Sequence, residues 1–150
     1  MKKHRAIIFI VIMFVITGIM TLLHFKSREE IPENAIEIIY EEETYMIDIA
    51  ELDYKEVSGI RVNGKGEEIE VRALGIALKA VLDEAKITEY DMVSVVADDA
   101  YSAQITAEEI QDGLESYLIQ EDGEERLRLV VFGDKDSKRS VNNVVRIIVE

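Results

Sequence analysis

The chain has 150 residues, with 31 acidic and 17 basic side chains, a formal net charge of −14, two histidines and no cysteine. The missing thiol excludes disulfides, thiolate metal sites and cysteine nucleophiles. So strong an acidic balance also argues against a general nucleic-acid or anionic-membrane surface.

The first element in chain order is Ala6 to Leu23, 18 residues without a charged side chain. As a helix at 1.5 Å per residue it spans about 27 Å, close to the thickness of a bilayer core. Lys2, Lys3 and Arg5 precede it, so the positive-inside rule puts residues 1–5 in the cytoplasm and everything beyond the span outside. A cleaved signal peptide is the alternative, but the apolar run exceeds an ordinary h-region and no A-x-A-like site follows it. The expectation is an uncleaved single-pass anchor at residues 6–23, holding the protein at the cell membrane. Residues 24–34 read as an acidic stalk with the only proline, Pro32, and residues 35–150 as one extracytoplasmic domain able to bury a single core. From residue 29 on, all 31 acidic residues face 12 of the 17 basic ones, a formal charge of −19. His4 and His24 both flank the span, so the outer domain lacks the imidazole of a Ser-His-Asp triad or of the usual zinc sites.

Within that domain, Ile36 to Tyr40 reads as a strand, and the alternation of Tyr45, Ile47 and Ile49 as a second that could pair with it as a hairpin. "SGIRVNGKGEEIEVRAL" predicts a hairpin with a two-residue turn at Asn63-Gly64, in which Ile60 and Val62 face Ile69 and Val71. "GIALKAVLDEAKI" changes to helical period, with Leu78, Val81, Leu82 and Ala85 on one face and Lys79, Asp83 and Lys86 on the other. The mixed charge of that polar face favours a helix packed on a sheet over one lying on a membrane. "MVSVVA" predicts a near-continuously buried strand, turned by Asp98-Asp99-Ala100 into "YSAQIT". Thr106 and Glu109 fit a capping box for a short helix that stops at Gly113. Then come "SYLIQ", an Asp122-Gly123 turn, "LRLVVF", the loop "GDKDSKRS" and a closing strand "VVRIIV". The fold class is therefore α+β, with mixed, mostly antiparallel sheets and one main amphipathic helix.

From Gly75 to Glu150 the order of elements resembles the core of the sulfite-oxidase-like, molybdopterin-binding oxidoreductase domain. In that family a strand ends at an Asp-Gly-Tyr-like turn, and a later Pro-x-Arg strand leads through a glycine loop to a Val-Lys-Asn or Val-Lys-Trp strand. The matching residues are Asp99, Tyr101, Arg128, Gly133, Val141 and Asn143. The resemblance implies a pterin-binding fold with residues 98–110 in its wall, and a molybdopterin-type ligand. The departures are as specific. The family's metal-binding cysteine has no counterpart, its Val-Lys lysine is Asn142, and no histidine stands near Gly123 to Glu125. The family's glycine before the tyrosine is Ala100, which implies a different turn without the positive φ that glycine allows.

Residues 126–150 concentrate Arg126, Arg128, Lys135, Lys138, Arg139 and Arg146 against only Asp134, Asp136 and Glu150. Arg128, Lys138 and Arg139 are candidates for binding an anionic small ligand such as a phosphate, with Tyr101 able to stack on it. The competing reading pairs the three cations with nearby carboxylates on a solvated face, and makes Tyr101 a half-buried strand aromatic. Asp134-x-Asp136 has a calcium-like spacing, but Lys138 occupies the next ligand position. Asp98 and Asp99 fit a water-facing turn better than a catalytic pair. No catalytic or metal-binding residue is expected, and no bound cofactor beyond that molybdopterin-type possibility. The expected role is a membrane-anchored extracytoplasmic binding module without molybdenum catalysis. The alternatives are an oxidoreductase subunit that binds a molybdopterin-type cofactor, and a structural partner of other proteins in an envelope complex.

Overall fold

The computed structural model describes residues 31–150. The expected tail at 1–5, span at 6–23 and start of the stalk lie outside the described residues. No helix among the described residues is long and apolar enough to cross a membrane.

Among the described residues nine strands form two sheets, with α-helices after the fourth and sixth strands and a 3-10 turn, Ile49–Glu51, after the second. The first sheet holds β1 (Ala35–Tyr40), β2 (Glu43–Asp48), β5 (Met92–Ala97), β6 (Ser102–Thr106) and β9 (Val144–Val149), in the order β2-β1-β9-β5-β6. The second holds β3 (Lys55–Val62), β4 (Glu68–Ala77), β7 (Ser116–Gln120) and β8 (Arg128–Val131) in that order. The fold is α+β, as composition and periodicity predict. All strand pairs are antiparallel except β1 with β9, which run parallel. The β1–β2 hairpin forms as expected, with Ile36 opposite Ile47.

The main core joins inward side chains of both sheets to helix α1 (Leu78–Glu84). Leu78, Val81 and Leu82 are fully buried in it, against Ile38, Val95 and Ile147 of one sheet and Leu118 and Leu129 of the other. Lys79 and Asp83 form an exposed i,i+4 pair at 3.1 Å on the opposite side of the helix. The helix is shorter than its periodicity suggested, because Gly75 to Ala77 still belong to β4 and pair with β7, and Ala85 is its C-cap.

Three local expectations are corrected. Strand β5 is not buried throughout: Val93, Val95 and Ala97 are buried while Met92, Ser94 and Val96 are half-buried. The helix and the second sheet cover only one face of its sheet, so burial follows the period of two. The β3–β4 connection is also wider than a two-residue turn. Asn63 Oδ1 accepts from the backbone N–H of both Lys65 and Glu67, and the left-handed residue is Gly66, φ 82°. The resulting register sets Ile60 opposite Glu70 and Val62 opposite Glu68, rather than Ile69 and Val71, and Ile60 is 52% exposed. A shift of one residue moves a side chain to the other face. Lastly, Ala100 does adopt a positive φ, 69°. Its N–H donates to the Ala97 carbonyl, and Ala97 N–H to that of Tyr101. Those bonds, with Tyr101 N–H on Asp99 Oδ1 at 2.9 Å, hold a conformation that alanine alone disfavours.

The second sheet buries a smaller cluster on its other face, formed by Val71, Ile119, Val130 and Phe132 with Tyr117 against them. Just beyond β8, Gly133 N–H donates to the Ile60 carbonyl of β3 at 3.0 Å. The sheet therefore curls until its two edges meet, and Phe132 lies directly over Gly59 of β3.

Candidate functional site

The segments that carry the family-like residues meet at one end of the two sheets. Leu129 and Val141 exchange reciprocal backbone hydrogen bonds of 2.8 and 3.1 Å, and Val144 N–H donates to the Leu127 carbonyl. These bonds lay residues 141–143 along the entry to β8. On the other side, Asp98 N–H donates to the Asn143 carbonyl at 3.1 Å, and Asn143 Nδ2 to Asp98 Oδ2 at 3.3 Å. Asn143 has a φ of 48°, a left-handed conformation that Asn tolerates better than most residues. The 97–101 turn, the start of β8 and the 141–143 segment are thereby linked.

Beside Asn142 and Asn143, at the entry to β8, lies a notch of about 110 Å³ lined by Glu121, Glu124, Arg126, Arg128, Asn142 and Asn143. Arg128 Nη1 donates to Glu121 Oε1 at 2.8 Å, with both side chains largely shielded from water. Arg126 Nη2 donates to the Ile31 carbonyl at 3.2 Å. Its Nη1 is buried and has no hydrogen-bond partner among the described residues. Arg126 and the two amide side chains offer N–H donors to an anionic or carbonyl oxygen in the notch, beside the carboxylates of Glu121 and Glu124.

The four sequence-predicted ligand residues do not converge on this notch. Arg128 lines it. Lys138 N–H donates to Asp136 Oδ1, and its ammonium pairs with Asp136 Oδ2 at 3.2 Å, largely exposed. Arg139 makes a two-pronged contact with Asp134, 2.9 Å at each oxygen, and reaches Glu109 Oε1 at 2.7 Å. The Tyr101 hydroxyl donates to the Lys138 carbonyl at 2.6 Å, so Tyr101 meets Lys138 through its backbone and not its charge. Each of the three cations has its own carboxylate partner. Sequence reasoning alone does not single out Arg126, Asn142 or Asn143 as ligand residues. The available signal is the spacing of Arg126 and Arg128, two apart beside Leu127 and Leu129, which are buried at 1% and 0% exposure.

Glu109 ties the loop after β8 to helix α2 (Ala107–Gln111). Its carboxylate closes the predicted capping box, accepting from Thr106 N–H at 3.0 Å while Thr106 Oγ1 accepts from Glu109 N–H. The Thr106 backbone N–H, then Arg139, hold the Glu109 carboxyl below the usual carboxylate range, and its two partners raise the Arg139 guanidinium further. A depressed carboxyl stabilises the fold above its unfolded pKa, about 4.3, and that increment is lost as pH falls through the lower folded value. Glu109→Gln keeps an acceptor but cannot titrate. Its melting temperature should lie below wild type at pH 6 and converge on it as the pH drops below about 4. A gap independent of pH would show that the charge of Glu109 contributes nothing.

Among the described residues no group of three His, Asp or Glu side chains is arranged to hold a metal ion. Comparison of the chain with protein-family models finds no match, and comparison with curated proteins finds none.

Proposed function

We propose that the chain is a membrane-anchored extracytoplasmic binding module, of the kind that a reduced sulfite-oxidase-like molybdopterin-binding domain would form, and that it takes an anionic group in the notch at Arg126. The observation that supports this reading is the convergence of Arg126, Arg128, Asn142 and Asn143 on that notch, with the 97–101 turn hydrogen-bonded to Asn143 beside it. These segments carry most of the family-like residues, and the donor without a partner lies among them.

The size of the notch limits what it holds. At about 110 Å³ it has room for about four waters at 30 Å³ each, or for one phosphate or carboxylate group. A molybdopterin-type ligand would engage it only through its phosphate. The donor set does not fit the metal of that family, which needs a thiolate, because the chain has no cysteine. The module is therefore read as binding without molybdenum catalysis.

Two measurements on the full-length chain test this. Inorganic phosphate at millimolar concentration should raise the melting temperature by binding the folded state, and Arg126→Gln should abolish the increment. Arg139→Gln, whose partners lie outside the notch, should leave it in place. No increment, or one equally lost in both variants, would sink the notch assignment. Protease added to spheroplasts should degrade the domain, and protection from it would place the domain on the wrong side of the membrane.

A further inference from the structure

We infer that strand β4 offers an open edge on which a partner protein's extended segment, alternating apolar and basic residues, adds as a further strand. The backbone dictates this edge. β4 pairs with β3 from Glu68 to Gly75, but β7 pairs only with Leu74 to Ala77, ending at Gln120. Asn63 N–H donates to the Glu67 carbonyl, so in this register the backbone groups of Ile69, Val71 and Ala73 point to β3. The same alternation turns Ile60 away from β4, where its carbonyl accepts from Gly133. The N–H and C=O groups of Glu68, Glu70 and Arg72 consequently point to the side that β7 has left. Among the described residues they have no backbone partner there.

A gap of about 590 Å³ opens along that edge, lined by every residue from Ile69 to Leu74 and walled by the turn at 121–124. Consecutive residues of one strand line a cavity together only when it runs along the edge, since a face presents alternate ones. Arg61 also lines the gap, and its Nε is buried without a partner among the described residues.

The side chains define the partner. An added strand would lie beside Ile69, Val71 and Ala73 on one face and beside Glu68, Glu70 and Arg72 on the other, where the two carboxylates outnumber the guanidinium. Its apolar residues match the first row and its basic residues the second. The gap itself carries Glu70, Glu121, Asp122 and Glu124 against Arg61 and Arg72, which favours a basic strand over an acidic one. Charges on the edge also discourage self-pairing of this chain. This mode of recognition uses main-chain hydrogen bonds for affinity and alternate side chains for specificity.

The test uses the full-length chain in detergent micelles and a capped peptide that alternates valine and lysine. Two controls are the same composition in block order, and the alternating peptide N-methylated at every second residue. The alternating peptide should bind at least about tenfold more tightly than either control, and slow amide exchange at Glu70 and Arg72. Arg72→Pro removes an outward N–H while sparing the bonds to β3, and should erase the tenfold preference. Equal binding of all three peptides would reduce the effect to charge attraction and overturn the inference. So would absent binding, unchanged exchange at residues 68–73, or a folded Arg72→Pro protein that keeps the preference. The control peptides retain their force even if Arg72→Pro fails to fold.

Discussion

Replacing Val95 by Asp should leave residues 31–150 unfolded at room temperature. Val95 has no exposed surface and sits on β5, between β6 and β9, opposite Ala103 on one side and Ile147 on the other. Its neighbours in the main core are aliphatic, and no cation or hydrogen-bond donor is available for a carboxylate there. An unpaired buried charge of this kind costs several kcal/mol, and the total stability of a domain of this size is about 5–15 kcal/mol. Val96→Asp on the half-buried face of the same strand should be far milder, since its carboxylate can reach water. Circular dichroism and thermal melting of the two variants check the expectation. A cooperative transition in Val95→Asp within a few degrees of wild type would show that β5 is not the centre of the core.

Gly59→Ala should destabilise the protein by about 1–3 kcal/mol, the usual cost of overpacking. A Cβ built at position 59 would lie 2.4 Å from Phe132 Cγ and 2.6 and 2.7 Å from the two Cδ atoms. The ring cannot retreat freely. It is 5% exposed, it packs on Tyr117 with centroids 5.6 Å apart, and the next residue, Gly133, is bound to Ile60. The melting temperature should fall by about 4 °C for each kcal/mol at this chain length. Gly64→Ala makes the control, because nothing lies within 4 Å of its Cβ and its φ is not positive; it should melt with wild type. In a Phe132→Ala background the cost of Gly59→Ala should largely vanish, a coupling that a double-mutant cycle reads directly. An undiminished cost there would trace the damage to backbone conformation and not to the ring.

The elements legible in the sequence are those whose causes lie within a few residues. Thr106 and Glu109 close their capping box across three positions. Leu78, Val81 and Leu82 mark the buried face of α1 by period alone, and Gly113, φ 88°, stands where the short helix ends. Arg128, Lys138 and Arg139 stand out as candidates too, and each has a carboxylate partner within seven positions, Glu121, Asp136 and Asp134; only the contacts to other segments are hidden. Glu109 is 30 positions from Arg139 in the chain, and Ile31 is 95 from Arg126.

What the tertiary structure alone decided is long-range. β9 inserts between β1 and β5 and pairs parallel with β1, a choice between similar apolar strands that no local pattern encodes. The β3–β4 register follows from the backbone N–H groups of Lys65 and Glu67 donating to Asn63 Oδ1; it turns Ile60 outward, and the early end of β7 at Gln120 leaves the edge of β4 open. Ala100 takes a positive φ because its turn is held by the Ala97 and Tyr101 backbone and by Asn143, interactions that outweigh the intrinsic preference of alanine. The notch exists only once Leu129 and Val141 have paired. Propensity and periodicity act over a turn of helix or a pair of strand residues. Which strand edges meet, and which polar groups are left without partners, depends on interactions that form only after distant segments have closed on one another.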